Sequence, residues 1–154
     1  MGRLAEKLAS YSLIGLDTSV FIYHLEAHPF FSQLAGEIFS GVEQGNWSAV
    51  TSTITLMEIN VRPFQLNRPD IARKYEALLV NFPNLSIVDI DREITRRAAQ
   101  LRAEFRIRPA DALQVSASLV HKAGVFITND QQLERLKPLI EVVILKDYVS
   151  GMEK

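Results

Sequence analysis

Residues 109–130, PADALQVSASLVHKAGVFITND, decide the fold. The stretch opens on Pro109, suited to the first turn of a helix, and runs through small and apolar residues to Gly124, placed to cap the helix end. Residues 125–128 then read VFIT, an apolar run that stops abruptly at Asn129 and Asp130. A strand without polar alternation, fed directly by a helix, belongs in a parallel sheet covered on both faces.

The same alternation recurs outward from this stretch. Upstream, 92–107 (REITRRAAQLRAEFRI) reads as a long helix and 85–90 (LSIVDI) as a third strand. Residues 70–82 read as a helix with Asp70 near its start and Pro83 just past its end. Residues 54–61 (ITLMEINV) form a further helix that Thr53 is placed to cap and Pro63 to interrupt. WSAVTS (47–52) is the second strand, 30–45 an amphipathic helix closed by Gly45, 19–28 a helix ending before Pro29, and YSLIGL (11–16) the first strand. Downstream, a short helix at 131–136 precedes a fifth strand at 141–145. This order predicts one domain over 1–154: a three-layer α/β/α sandwich around a central, mostly parallel five-stranded sheet.

The 154 residues suffice for a real core, and 47% hydrophobic with 23% charged residues is ordinary for a globular protein. Seventeen Lys and Arg against eighteen Asp and Glu leave no basic excess, so a nucleic-acid role has to rest on local charge. The absence of cysteine excludes disulfides, zinc-thiolate sites and thiol nucleophiles. No run approaches the roughly 20 apolar residues that span a bilayer, and the expectation is a cytoplasmic protein with no membrane association.

In parallel α/β sheets ligands bind beyond the carboxyl ends of the strands. Asp17 follows the first strand and Asp130 the fourth, so both carboxylates are expected at one sheet edge. Turn and N-cap chemistry suffices to explain either alone. Asp111 lies in the first turn of the helix from Pro109, where the helix dipole favours an acid by about 0.3–1 kcal/mol. That helix must run antiparallel to strand four, which brings Asp111 towards Asp130. Glu58 sits in the mostly apolar segment after strand two, where a buried acid needs a partner and an exposed one simply points to solvent. Two carboxylates about 4 Å apart repel by roughly 4 kcal/mol at an effective dielectric near 20. Such a group of four persists only with protons or cations, and an all-oxygen donor set favours Mg²⁺ or Mn²⁺. A divalent ion in that setting suits phosphodiester hydrolysis.

These residues resemble the PIN-domain nucleases, in particular the VapC-like toxin ribonucleases of prokaryotic toxin–antitoxin pairs. LIGLDTSVFIY resembles the family's first strand and opening acid (Asp17), and TSTITLMEI its second motif (Glu58). RPADALQVSASLVHKAGVFITND resembles the segment that carries the third and fourth acids, Asp111 and Asp130, and IVDIDREITRRAAQLRAEF the stretch before it. The resemblance implies a Mg²⁺- or Mn²⁺-dependent endoribonuclease that acts on RNA, a small antitoxin as partner, and a homodimer. It implies that Asp17, Asp111 and Asp130 hold the metal and that Glu58 is a further ligand or orients the attacking water. Thr18 and Thr128 would hold water or phosphate, and Asn129 would assist Asp130.

Other features weigh less. Arg92, Arg96, Arg102 and Arg106 gather opposite the stripe of Ile94, Ala98, Leu101 and Phe105, a face suited to RNA phosphates, to an acidic partner segment, or to plain solvation. Arg108, beside Asp111, is the arginine best placed for a substrate phosphate. His24, His28 and His121 form no ligand set, and Phe30, Phe31 and Trp47 read as core or dimer contacts. GLDTS superficially resembles phosphatases with a nucleophilic Asp, but Ser19 stands where those need a second Asp. The remaining alternative is a PIN-like RNA-processing or scaffold protein without an antitoxin.

Overall fold

In the computed structural model, which describes residues 2–149, five parallel strands form one sheet in the order β3-β2-β1-β4-β5. The strands are β1 (Leu13–Leu16), β2 (Ser48–Ser52), β3 (Leu85–Val88), β4 (Val125–Thr128) and β5 (Glu141–Ile144). The helices are α1 (Arg3–Leu8), α2 (Thr18–Leu25), α3 (Ser32–Gln44), α4 (Thr53–Gln65), α5 (Pro69–Val80), α6 (Arg92–Phe105) and α7 (Pro109–Val120). Short 3-10 helices, Gln131–Leu136 and Leu145–Tyr148, flank β5. The expected α/β/α sandwich with a five-stranded parallel sheet is therefore present, with α1 as an addition that the sequence pattern did not suggest.

Strand pleating divides the core in two. Ile14 and Leu16 of β1, with Val125 and Ile127 of β4, pack with α1, α2 and α3 on one face. Phe126 points the other way and packs with Ala98 and Leu101 of α6 and Ala112 and Val115 of α7. All four residues of β4 are buried, as its continuous apolar run requires. The order reverses between β1 and β4, whose registers pair Leu16 with Ile127. β4 runs one residue further, to Thr128, and the Asp17 amide extends the ladder by donating to Ile127 O (3.0 Å).

Several expected boundaries shift for identifiable reasons. Ser52, not Thr53, caps α4, its hydroxyl accepting from the Ile54 amide (3.1 Å). Pro63 does not interrupt α4; it lies in the last turns with its ring buried, and the Leu66 amide still reaches Arg62 O (3.0 Å). The left-handed residue after α7 is Lys122 (φ 64°) rather than Gly124. Gly124 serves packing instead, since a Cβ there would lie 2.6 Å from the Tyr11 ring. The helix expected over 19–28 ends at Leu25, and α3 begins at Ser32 rather than Phe30. Gly45 (φ 80°) closes α3 as expected.

Trp47 is in the core, its indole N–H donating to Ile38 O (3.1 Å). Phe31 packs against that core, but Phe30 is 55% exposed and is not a core residue. The small residues of α7 allow the helix to lie close on the sheet: a Cβ on Gly15 would overlap the Ser118 side chain and crowd Phe126 (3.2 Å). Gly15→Ala should therefore destabilise the fold by about 1–3 kcal/mol, the usual consequence of overpacking. Chemical denaturation checks this, and an unchanged midpoint would show that α7 has room to move.

Candidate active site

Loop and helix starts at the carboxyl ends of β1, β2 and β4 place the acidic residues around one cleft of about 670 Å³. Its walls include all four expected acids, Asp17, Glu58, Asp111 and Asp130, together with Thr18, Arg108, Thr128 and Asn129. Ser19, Ile22, Tyr23 and Val61 complete it. Nothing in the acid spacing points to these last four, which arrive through the turns of α2 and α4.

Asp17 is both the N-cap of α2 and the floor of the cleft. Its carboxylate accepts from the Thr18 amide (2.9 Å) and from the Thr128 hydroxyl (2.6 Å). Burial nevertheless pushes its pKa up to about 6, the two donors opposing the shift and the charges of Asp111 and Glu58 adding to it. Asp130 caps the following 3-10 turn through the Gln132 amide (3.0 Å), while its own amide donates to Thr128 Oγ1 (3.1 Å). Thr128 thus links the two strand-end acids. Asn129 turns away from Asp130: it donates to the Tyr23 hydroxyl (3.1 Å) and accepts from the Lys146 amide (2.9 Å).

Arg108 spans the mouth of the cleft. Its Nε donates to Asp111 Oδ2 (2.9 Å) and its Nη2 to Asp130 Oδ2 (3.2 Å), with the side chain 74% exposed. The expected approach of Asp111 to Asp130 is thus present, with a guanidinium between them. Glu58 accepts from the Thr18 hydroxyl at 2.6 Å. His28 is occupied with the Phe30 and Phe31 amides, and His121 ends α7. On α6, Ile94, Ala98 and Leu101 are buried and Arg92, Arg96 and Arg102 exposed, while Arg106 (φ 57°) is the left-handed cap beyond the helix. The basic face is correspondingly shorter than the helical wheel implies.

The donor chemistry of the cleft fits a hard divalent cation: it offers carboxylate and hydroxyl oxygens, and Arg108 already stands in as a cation between two of the acids. Among the described residues, no three acids or histidines converge tightly enough to hold an ion in this arrangement. Asp111 and Asp130 are engaged by Arg108, and Glu58 by Thr18.

The comparisons converge on the parallel α/β/α sandwich described above. The chain belongs to the PIN domain family, whose model matches residues 14–138. Among curated proteins none matches significantly. Solved structures of similar fold include VapBC2 of Rickettsia felis bound to a DNA fragment from its promoter (19% identity, 86% of this chain and 98% of that chain, TM-score 0.68). DNA-bound VapBC of Salmonella typhimurium is similar at 21% identity, over 87% and 98% of the two chains (TM-score 0.65). A toxin–antitoxin complex of Klebsiella pneumoniae is similar at 21% identity, again over 87% and 98% (TM-score 0.62). At such identities the likeness is one of fold. No helix among the described residues is long and apolar enough to cross a membrane.

The raised pKa of Asp17 has a defined sign. Between its ordinary value of 3.8 and about 6 the folded protein holds a proton that the unfolded chain has released, so stability falls as pH rises through this window. Asp17→Asn does not titrate there, and its amide can satisfy Thr18 and Thr128 by accepting from one and donating to the other. In metal-free buffer the variant should gain about 2–3 kcal/mol on wild type between pH 4 and pH 6, with a plateau above. Denaturant melts across pH test this, and a difference independent of pH would contradict the assignment.

Proposed function

We propose that this protein is a divalent-metal-dependent endoribonuclease that hydrolyses RNA phosphodiester bonds, acting as the toxin of a type II toxin–antitoxin pair in the cytoplasm. One observation carries the reading: four acids from separate elements line one cleft at the switch point of a PIN domain. Asp17, Asp111 and Asp130 would hold Mg²⁺ or Mn²⁺, with Glu58 a further ligand or the group that orients the attacking water. The bound ion supplies Lewis acidity at the phosphate and lowers the pKa of water.

The chain's own groups supply the rest. Thr128 and the Thr18 amide fix the Asp17 carboxylate, so its direction is set before any ligand arrives. Thr18 does the same for Glu58. Asp111 and Asp130 would hold the ion in place of the Arg108 guanidinium, which would then be free to bind a substrate phosphate in the same cleft. Asn129 acts indirectly, holding Tyr23 at the cleft wall.

For the partner, the likeness to toxin–antitoxin complexes is supported by exposed apolar residues on the hairpin of α4 and α5. Met57, Val61, Phe64, Leu78 and Val80 are each about half exposed or more, and Val61 also borders the cleft. A surface of this kind suits a small antitoxin or a second copy of the chain. The alternative is a PIN-like RNA-processing or scaffold protein without an antitoxin, and a bridge from Arg108 to Asp111 and Asp130 that no ion replaces would suit the scaffold.

Single-stranded RNA should be cleaved with Mn²⁺ or Mg²⁺ and left intact with a chelator. Asp111→Asn should lower kcat/KM by about 100-fold or more with the fold retained. Full activity in that variant would sink the reading. Removing the competing cation with Arg108→Ala should tighten Mn²⁺ binding by roughly two- to fivefold while raising KM for RNA. Calorimetry and steady-state kinetics separate the two effects, and weaker Mn²⁺ binding would show that Arg108 does not compete.

A further inference from the structure

Directly beneath the cleft lies a buried polar network that the proposed chemistry meets only at Thr18. Gln114 on α7 is 2% exposed, Ser52 and Thr55 are 0%, Thr51 2% and Thr18 5%. Gln114 Nε2 donates to both Thr18 Oγ1 and Thr55 Oγ1 (2.8 Å each), and Gln114 Oε1 accepts from Ser52 Oγ (2.6 Å). Gln114 carries no charge and sits on the inner face of its helix, so the spacing of the acids gives no sign of it.

Each hydroxyl has one proton, and the contacts fix where each goes. Thr51 donates to Leu16 O (2.9 Å), so in the 2.7 Å contact between Thr51 and Thr55 the donor is Thr55. With that proton committed, Thr55 cannot donate to Thr18. The Thr18 oxygen already receives the Gln114 amide, and its own proton goes to Glu58 Oε1. The amide cannot turn over without cost: Ser52 accepts from the Ile54 amide as the cap of α4, and its proton needs the Gln114 oxygen. The order therefore runs from the cap of α4 through α7 and α2 back to Glu58 on α4.

We infer that Gln114 is a positioning residue that acts through Thr18. Its amide holds the Thr18 hydroxyl as a donor to Glu58 and so fixes the carboxylate in the cleft, with Oε2 free of protein donors among the described residues. The inference rests on the reading of Glu58 as part of a divalent-cation site. Partners of this kind typically change metal affinity or activity by 10–100-fold. A Gln114 that merely joined three helices would affect stability without any dependence on Glu58.

Two variants of the full chain separate these roles. Gln114→Met keeps length and bulk but removes both donors. Gln114→Glu keeps shape and the Ser52 acceptor, yet draws the Thr18 proton away from Glu58. Both should weaken Mn²⁺ binding about tenfold by calorimetry and lower kcat on RNA with KM changed less than about twofold. In a Glu58→Gln background, Gln114→Met should cause no further loss of Mn²⁺ affinity, since the two act as one unit. Thr18→Val, which leaves Gln114 in place, should reproduce the loss, and Thr18→Ser should restore it. Wild-type Mn²⁺ affinity in Thr18→Val, or a Gln114→Met loss that persists undiminished beside Glu58→Gln, overturns the inference. If the Gln114 variants fail to fold, wild-type Mn²⁺ affinity in Thr18→Val still overturns the inference. Absence of Mn²⁺ binding by wild type is a distinct outcome that overturns the metal reading and the inference with it.

Discussion

The central strand β1 ends in a carboxylate that the fold has partly removed from water. Two donors answer that burial: β4 runs one residue past the end of β1, where Thr128 donates to Asp17, and α2 begins where its first amide does the same. Those donors do not fully offset burial, and the pKa of Asp17 stays near 6. Placing three more acids around the same cleft adds repulsion to desolvation. Arg108 relieves part of it at Asp111 and Asp130, and Thr18 stabilises Glu58. The cleft is thus an electrostatically loaded region held by a rigid sheet edge, which suits a site that takes up a cation.

Capping and site chemistry are not competing explanations here. Asp17 caps α2 and Asp130 caps the turn after β4, as turn chemistry alone would have them do. The same backbone geometry that makes an aspartate favourable after a strand leaves its second oxygen for a partner at the cleft, Thr128 for Asp17 and Arg108 for Asp130. Ser52 shows the principle away from the acids, since it caps α4 and also orients Gln114. The polar groups at the strand ends therefore hold local structure and site geometry at once.

Much of this was legible in the sequence because its causes are local. Apolar runs such as VFIT have to be buried, helices between them have to cross over, and acids at strand ends then have to share an edge. The convergence of Asp17, Glu58, Asp111 and Asp130 follows from topology, and the family resemblance agrees with the PIN domain match. The remainder depends on tertiary distances that spacing does not carry. The Arg108 bridge needs the actual approach of α7 to β4, and Gln114 reads as one more helical residue until Thr18, Ser52 and Thr55 close around it. Pro63 and Gly124 mislead for the same reason: packing, not propensity, decides whether a proline breaks a helix or where a chain turns left-handed.

Asp17, Glu58, Asp111 and Asp130 are proposed to form a divalent-cation site. Anomalous diffraction at the manganese edge from crystals grown with Mn²⁺ should show a peak within ligation distance of Asp17, Asp111 and Asp130, with the Arg108 guanidinium displaced from the two aspartates it bridges. A cleft without a peak at millimolar Mn²⁺, with Arg108 still bound to Asp111 and Asp130, would contradict it.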